Sequence, residues 1–115
     1  MLPTTINNQT ALTTQGLGAD AYTRFLMYCD AAPATLTTYK RNLQHFFGWL
    51  KDNGITAPNR ATVIAYRDAL TDAGKKPTTV QNYIAALRVF FGWTSTEGIY
   101  PDIARKIKTK VTREH

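Results

Sequence analysis

TLTTYKRNLQHFFGWLKDNGI (residues 35–55) lies on TVQNYIAALRVFFGWTSTEGI (residues 79–99) when shifted by 44 positions. Nine of the 21 aligned positions are identical: Thr35/Thr79, Tyr39/Tyr83, Leu43/Leu87, Phe46/Phe90, Phe47/Phe91, Gly48/Gly92, Trp49/Trp93, Gly54/Gly98 and Ile55/Ile99. Leu36/Val80 is a conservative further match. Chance supplies far fewer, so the two stretches share either an ancestor or a structural demand. Positions 36, 39, 43, 46 and 50 step by three and four, as do 80, 83, 87, 90 and 94. That spacing sets one stripe of each helix against a partner helix. The last step is apolar only in the first copy, where Leu50 corresponds to Thr94. Phe47, Trp49, Phe91 and Trp93 widen the stripe. Aromatic residues at helical spacing read as core and not as a base-stacking surface.

Working outward, two more helices are predicted. In ADAYTRFLMYCDA, Tyr22, Phe25, Leu26 and Cys29 recur at i, i+3, i+4 and i+7, and Pro33 closes the segment. Asn59 is placed to cap a helix in which Val63, Tyr66, Arg67 and Leu70 share a face, with Gly74 at its end. The repeat copies themselves become helices from about Thr35 to Asn53 and from about Thr78 to Glu97, with Pro77 before and Gly98 after the second. A shorter fifth piece is expected near Pro101. Strand alternation is weak throughout. The fold class is all-α, four main helices. The first 18 residues, rich in Thr, Asn, Gln and Gly, read as a mobile lead-in.

Composition narrows the chemistry. The chain has 115 residues, 43% of them hydrophobic, enough for one core. A single cysteine cannot form an internal disulfide, and with two histidines it cannot complete a closed structural zinc site. No apolar run approaches the ~20 residues of a membrane span, and MLPTTINNQT lacks the marks of a signal peptide. A small, soluble, cytoplasmic domain is expected, with no membrane partner. No phosphate-binding loop, GxSxG or HExxH is present. Cys29 reads as core, Asp68 and Asp72 as a solvated acidic face, and His45 as a surface or phosphate-contacting side chain. No active site and no cofactor are expected.

The formal charge is +6, which favours anionic partners, nucleic acid first. It is unevenly spread: residues 1–30 carry a net −1, residues 31–100 carry +4 and residues 101–115 carry +3. Off the core stripe, the second helix presents Thr37, Thr38, Lys40, Arg41, Gln44 and His45. In the fourth, Gln81, Asn82, Ala85 and Arg88 stand where Thr37, Thr38, Arg41 and Gln44 stand in the second, with Lys75 and Lys76 just ahead. These are residue types that neutralise phosphates and read base edges, and a major groove ~12 Å wide accepts one helix. The other reading of these faces is a solvated surface.

The pattern TxxxYxxxLxxFFxWLxxxG, followed one helix later by KKPTTVQNYIAALRVFFGWTSTEGI, resembles the N-terminal core-binding domain of tyrosine recombinases, the phage-integrase family. The resemblance covers roughly residues 19–108. It implies an orthogonal four-helix SAM-like bundle that clamps one side of a recombination-site duplex, while a C-terminal catalytic domain grips the other. Carried onto matching positions, it nominates Thr38, Lys40, Arg41 and Gln44, then Lys76, Thr78, Thr79, Gln81, Asn82 and Arg88, as DNA contacts. Tyr100 replaces the Asn of the family's frequent Asn-Pro, leaving Pro101. The family's catalytic Arg, Lys, His and Tyr belong to the second domain. The resemblance therefore implies a fragment or isolated domain that does not cleave DNA alone, with residues 109–115 beginning the linker. The implied partners are double-stranded DNA, the parent's catalytic domain and other recombinase protomers. Two rival readings are a helical protein-interaction adaptor and a regulator with a degenerate helix-turn-helix.

Overall fold

The computed structural model describes residues 19–109, and no strand occurs among them. The lead-in expected over residues 1–18, and most of the expected linker, lie outside the described residues. Four helices follow in order: α1 (Ala19–Tyr28), α2 (Pro33–Asp52), α3 (Arg60–Asp72) and α4 (Pro77–Thr96). The long α4 is the centre of the bundle, and α1, α2 and α3 each pack on it.

Local chemistry sets each boundary. Pro33 does not close α1 as the sequence suggested. That helix ends at Tyr28, and Pro33 instead opens α2 at its first turn, after Ala32 in extended geometry. Proline suits that place because its missing N–H has no intrahelical acceptor there and its φ is already helical. Pro77 opens α4 in the same way after extended Lys76. The two prolines are 44 residues apart, so the repeat begins earlier than its aligned identities. Asn59 caps α3 reciprocally: its side chain accepts from the Thr62 amide at 3.0 Å, and its own amide donates to the Thr62 hydroxyl at 3.0 Å.

The repeat copies also end alike. Gly54 and Gly98 adopt φ of 66° and 71°, and the next amide, from Ile55 or Ile99, reaches back to Leu50 or Thr94. This closure needs a left-handed residue, which glycine adopts without a Cβ penalty. The common demand on the two copies is thus visible at both ends and along the stripe between them.

Leu43, Phe46, Leu50, Leu87, Phe90 and Thr94 are all buried, as the stripe spacing implied. The paired phenylalanines cross: Phe46 meets Phe91 edge-on at 6.1 Å, and Phe47 meets Phe90 at 5.7 Å. Each fully buried ring contributes about 1.5–3 kcal/mol by leaving water. Phe25 from α1 closes the core against Phe90 at 5.1 Å, and Tyr66 from α3 closes it against Phe46 at 4.9 Å. Burial is unequal between the copies. Lys40 is exposed whereas its counterpart Ile84 is fully buried, because α4 is surrounded and α2 lies at an edge of the bundle.

The fifth piece expected near Pro101 is not a helix but a turn over residues 103–106, which ends with Lys106 at φ 57°. A left-handed residue after one turn cannot propagate a right-handed helix. The segment is instead a strap laid on the bundle. Ile103, Ala104 and Ile107 are buried, and the Tyr100 hydroxyl donates to the Pro58 carbonyl at 2.7 Å.

Candidate nucleic-acid interface

The contacts between α2 and α4 advance in the same sense along both helices. Asn42 meets Asn82, His45 meets Tyr83, and Phe46 meets Phe91 further on. The two helices therefore cross with the same polarity, and their starts lie at one end of the bundle. Those starts are the positive ends of the helix dipoles, with unbonded amides. Neither first turn holds an acidic residue.

Most of the nominated residues lie in the first halves of these two helices or just ahead of them. Lys40, Arg41 and Gln44 are exposed on α2, and Lys76, Thr78, Gln81 and Asn82 are exposed on α4, with Thr79 half-buried. Thr38 is exposed, but its hydroxyl donates to the Ala34 carbonyl at 3.1 Å, and Thr37 bonds Pro33 likewise at 3.0 Å. Each hydroxyl must rotate off that backbone acceptor before it can donate to a ligand. Among the described residues the ion pairs are Arg24–Glu97 and Arg67–Asp68, neither involving the cations at this end. Lys40, Arg41, Lys75 and Lys76 are therefore uncompensated by any contacting carboxylate of the described residues.

Arg88 stands apart from that group. Its guanidinium is partly buried and donates to the Ile107 carbonyl of the strap. Arg67 and Arg60 do the same for the carbonyls of Lys108 and Arg105. Sequence reasoning placed Arg88 on the open face because it occupies the place of Gln44. The strap covers that place only in the second copy.

Two further side chains shape the site. Asn42 is buried beside the stripe, and its amide donates to the Asn82 carbonyl at 3.4 Å, tying α2 to the first turns of α4. Its counterpart Ala86 is also buried, so a polar residue aligned with a small apolar one was the available signal. The second is His45, whose Nδ1 lies 2.7 Å from the Tyr66 hydroxyl and whose ring lies 4.9 Å from that of Tyr83. Burial lowers its pKa below the usual histidine value, and the nearby charge of Lys75 lowers it further. Burial also drives the Tyr66 phenol far above its usual range, with a smaller contribution from Tyr83. Tyr66 shares a face of α3 with Val63 and Leu70 and is buried in the core. Its hydroxyl reaches His45 on α2.

No group of three or more His, Cys, Asp or Glu among the described residues could hold a metal ion. No described helix is long and apolar enough to cross a membrane. Three helices packed around a central fourth, with a polar, basic end, define an all-α SAM-like domain. The family model for the phage integrase N-terminal SAM-like domain matches residues 19–98, and the chain belongs to that family. No curated protein and no solved structure matches the chain.

Proposed function

We propose that this domain grips double-stranded DNA through the shared starts of α2 and α4, as the duplex-clamping part of a tyrosine recombinase. The observation that carries this reading is the set of exposed cations Lys40 and Arg41 in the first half of α2 and Lys75 and Lys76 just ahead of α4, none with a carboxylate partner among the described residues, on two helices that run in the same sense. Phosphate contacts come from the lysines, Arg41 and the threonine hydroxyls. Gln44, Gln81 and Asn82 carry the amide groups that read base edges. Strand cleavage belongs to the family's catalytic domain. The partners are the duplex, that domain and neighbouring protomers on the DNA, and the compartment is the cytoplasm.

The test is salt dependence. Duplex affinity should fall linearly on a log–log plot, with a slope of about −0.9 for each phosphate neutralised. Replacing Lys40 and Arg41 together by Ala should weaken binding and flatten the slope by about two phosphates' worth. Unchanged affinity and slope in that double variant would remove the basis of the assignment. A second reading, a protein-interaction domain, has one observation in its favour: Met27 and Tyr28 are 80% and 62% exposed at the end of α1. It calls for a protein partner whose affinity barely responds to salt.

A further inference from the structure

His45 is held by three elements at once. Tyr66 from α3 bonds its Nδ1 at 2.7 Å, Tyr83 from α4 lies against its ring, and Lys75 from the turn before α4 adds a positive charge. On its own helix it follows Arg41 by one turn, on the same face. The Tyr66 side chain is fully buried, and burial keeps its phenol protonated, so that hydroxyl donates and Nδ1 accepts. The neutral imidazole then carries its hydrogen on Nε2. His45 is exposed, and Nε2 has no partner among the described residues.

We propose that His45 is a proton-linked phosphate contact, donating through Nε2 to the DNA backbone and taking up a proton as the duplex binds. The proposal rests on the reading that the starts of α2 and α4 face DNA. Its chemistry balances without a further reactant. On protonation Nδ1 gains a hydrogen from solvent, the Tyr66 hydroxyl rotates, and the same 2.7 Å bond reverses direction, with Nδ1–H now donating to the phenol oxygen. In the free domain burial and Lys75 both oppose the imidazolium. A phosphate oxygen at Nε2 opposes that effect, because it supplies a counter-charge to His45 and Lys75 together. Sequence-independent binding to backbone phosphates thus acquires a dependence on pH that lysine and arginine cannot give, since both stay charged throughout the range.

A contacting counter-charge raises a pKa by about one to three units, and each unit is worth about tenfold in affinity. The experiment measures anisotropy of a rhodamine-labelled mixed-sequence duplex of about 25 base pairs, at fixed salt, between about pH 8 and about pH 6. Wild-type affinity should rise about tenfold as the pH falls. His45→Gln, whose amide can accept from Tyr66 and donate outward, should hold affinity within about twofold over the same range. His115 is present in both proteins, so the difference belongs to His45. The Lys40/Arg41 double alanine variant should bind more weakly at both pH values yet keep the tenfold ratio. A His45→Gln protein that retains the full rise overturns the proposal while leaving DNA binding intact. Absence of wild-type binding at either pH overturns the DNA reading itself. Independently of any variant's folding, NMR titration of wild-type His45 should give a higher pKa with the duplex than without it, and an unchanged value also overturns the proposal.

Discussion

Thr94 is the one polar residue in either stripe, and it is fully buried. Its hydroxyl lies 3.0 Å from the Phe91 carbonyl and 3.1 Å from that of Tyr100, where a leucine would leave the strap carbonyl unpaired. The Leu50/Thr94 difference, bare in the sequence, thus marks where the chain folds back. The His45–Tyr66 pair has a different consequence, for stability. The folded-state pKa of His45 lies below its unfolded value of about 6.5, so the unfolded chain takes up its proton first as the pH falls. Stability should be full above that value and decline on acidification until the folded-state pKa is passed. Tyr66 acts at the other limit: its folded phenol resists ionisation, so stability falls as the pH rises past about 10. Urea midpoints across pH test both, and His45→Gln should lack the acidic decline. If that variant follows the wild-type curve on the acid side, the assigned environment of His45 is wrong.

At the scale of elements, the four helices were legible because their signals are local. Spacing gave the buried stripes, Asn59 gave a cap, and Gly54, Gly74 and Gly98 gave the left-handed ends. The role of Pro33 is not legible in the sequence because proline excludes helix before it and favours helix after it, and the residues between Tyr28 and Pro33 do not say which role applies. The strap was invisible for a different reason. Its bonds join residues distant in sequence: Arg60 with Arg105, Arg67 with Lys108, Arg88 with Ile107 and Tyr100 with Pro58. No periodicity announces an arginine that will meet a carbonyl. These arginines add to the count of positive charge but hold the fold. Arg88→Met should therefore cost about 1.5–3 kcal/mol in urea denaturation, typical of a hydrogen bond from a charged donor. Its duplex affinity should match that of the wild type. Weaker binding with unchanged stability would return Arg88 to the interface.

For the whole molecule, α4 explains both the core and the site. It is covered by three neighbours along its length, while its first turns, with Lys76, Thr78, Gln81 and Asn82, stay exposed beside the start of α2. The candidate site was partly readable for that reason: early in α2 and α4 the residues off the core stripe stay exposed, whereas Arg88 depends on what packs later. The +6 charge divides accordingly. Arg60, Arg67 and Arg88 secure the strap, Arg24 pairs with Glu97 over Trp93, Lys51, Arg105, Lys106 and Lys108 are exposed elsewhere, and Lys40, Arg41, Lys75 and Lys76 are the cations on or just ahead of the first halves of α2 and α4. The most direct test of that partner is amide chemical-shift mapping of the domain titrated with duplex DNA. Perturbations should concentrate at residues 37–45 and 75–82, spare Arg88 and the strap at 100–108, and fade as salt is raised. Perturbations centred on α1 around Met27 and Tyr28, or no salt-sensitive change at the starts of α2 and α4, would contradict the account.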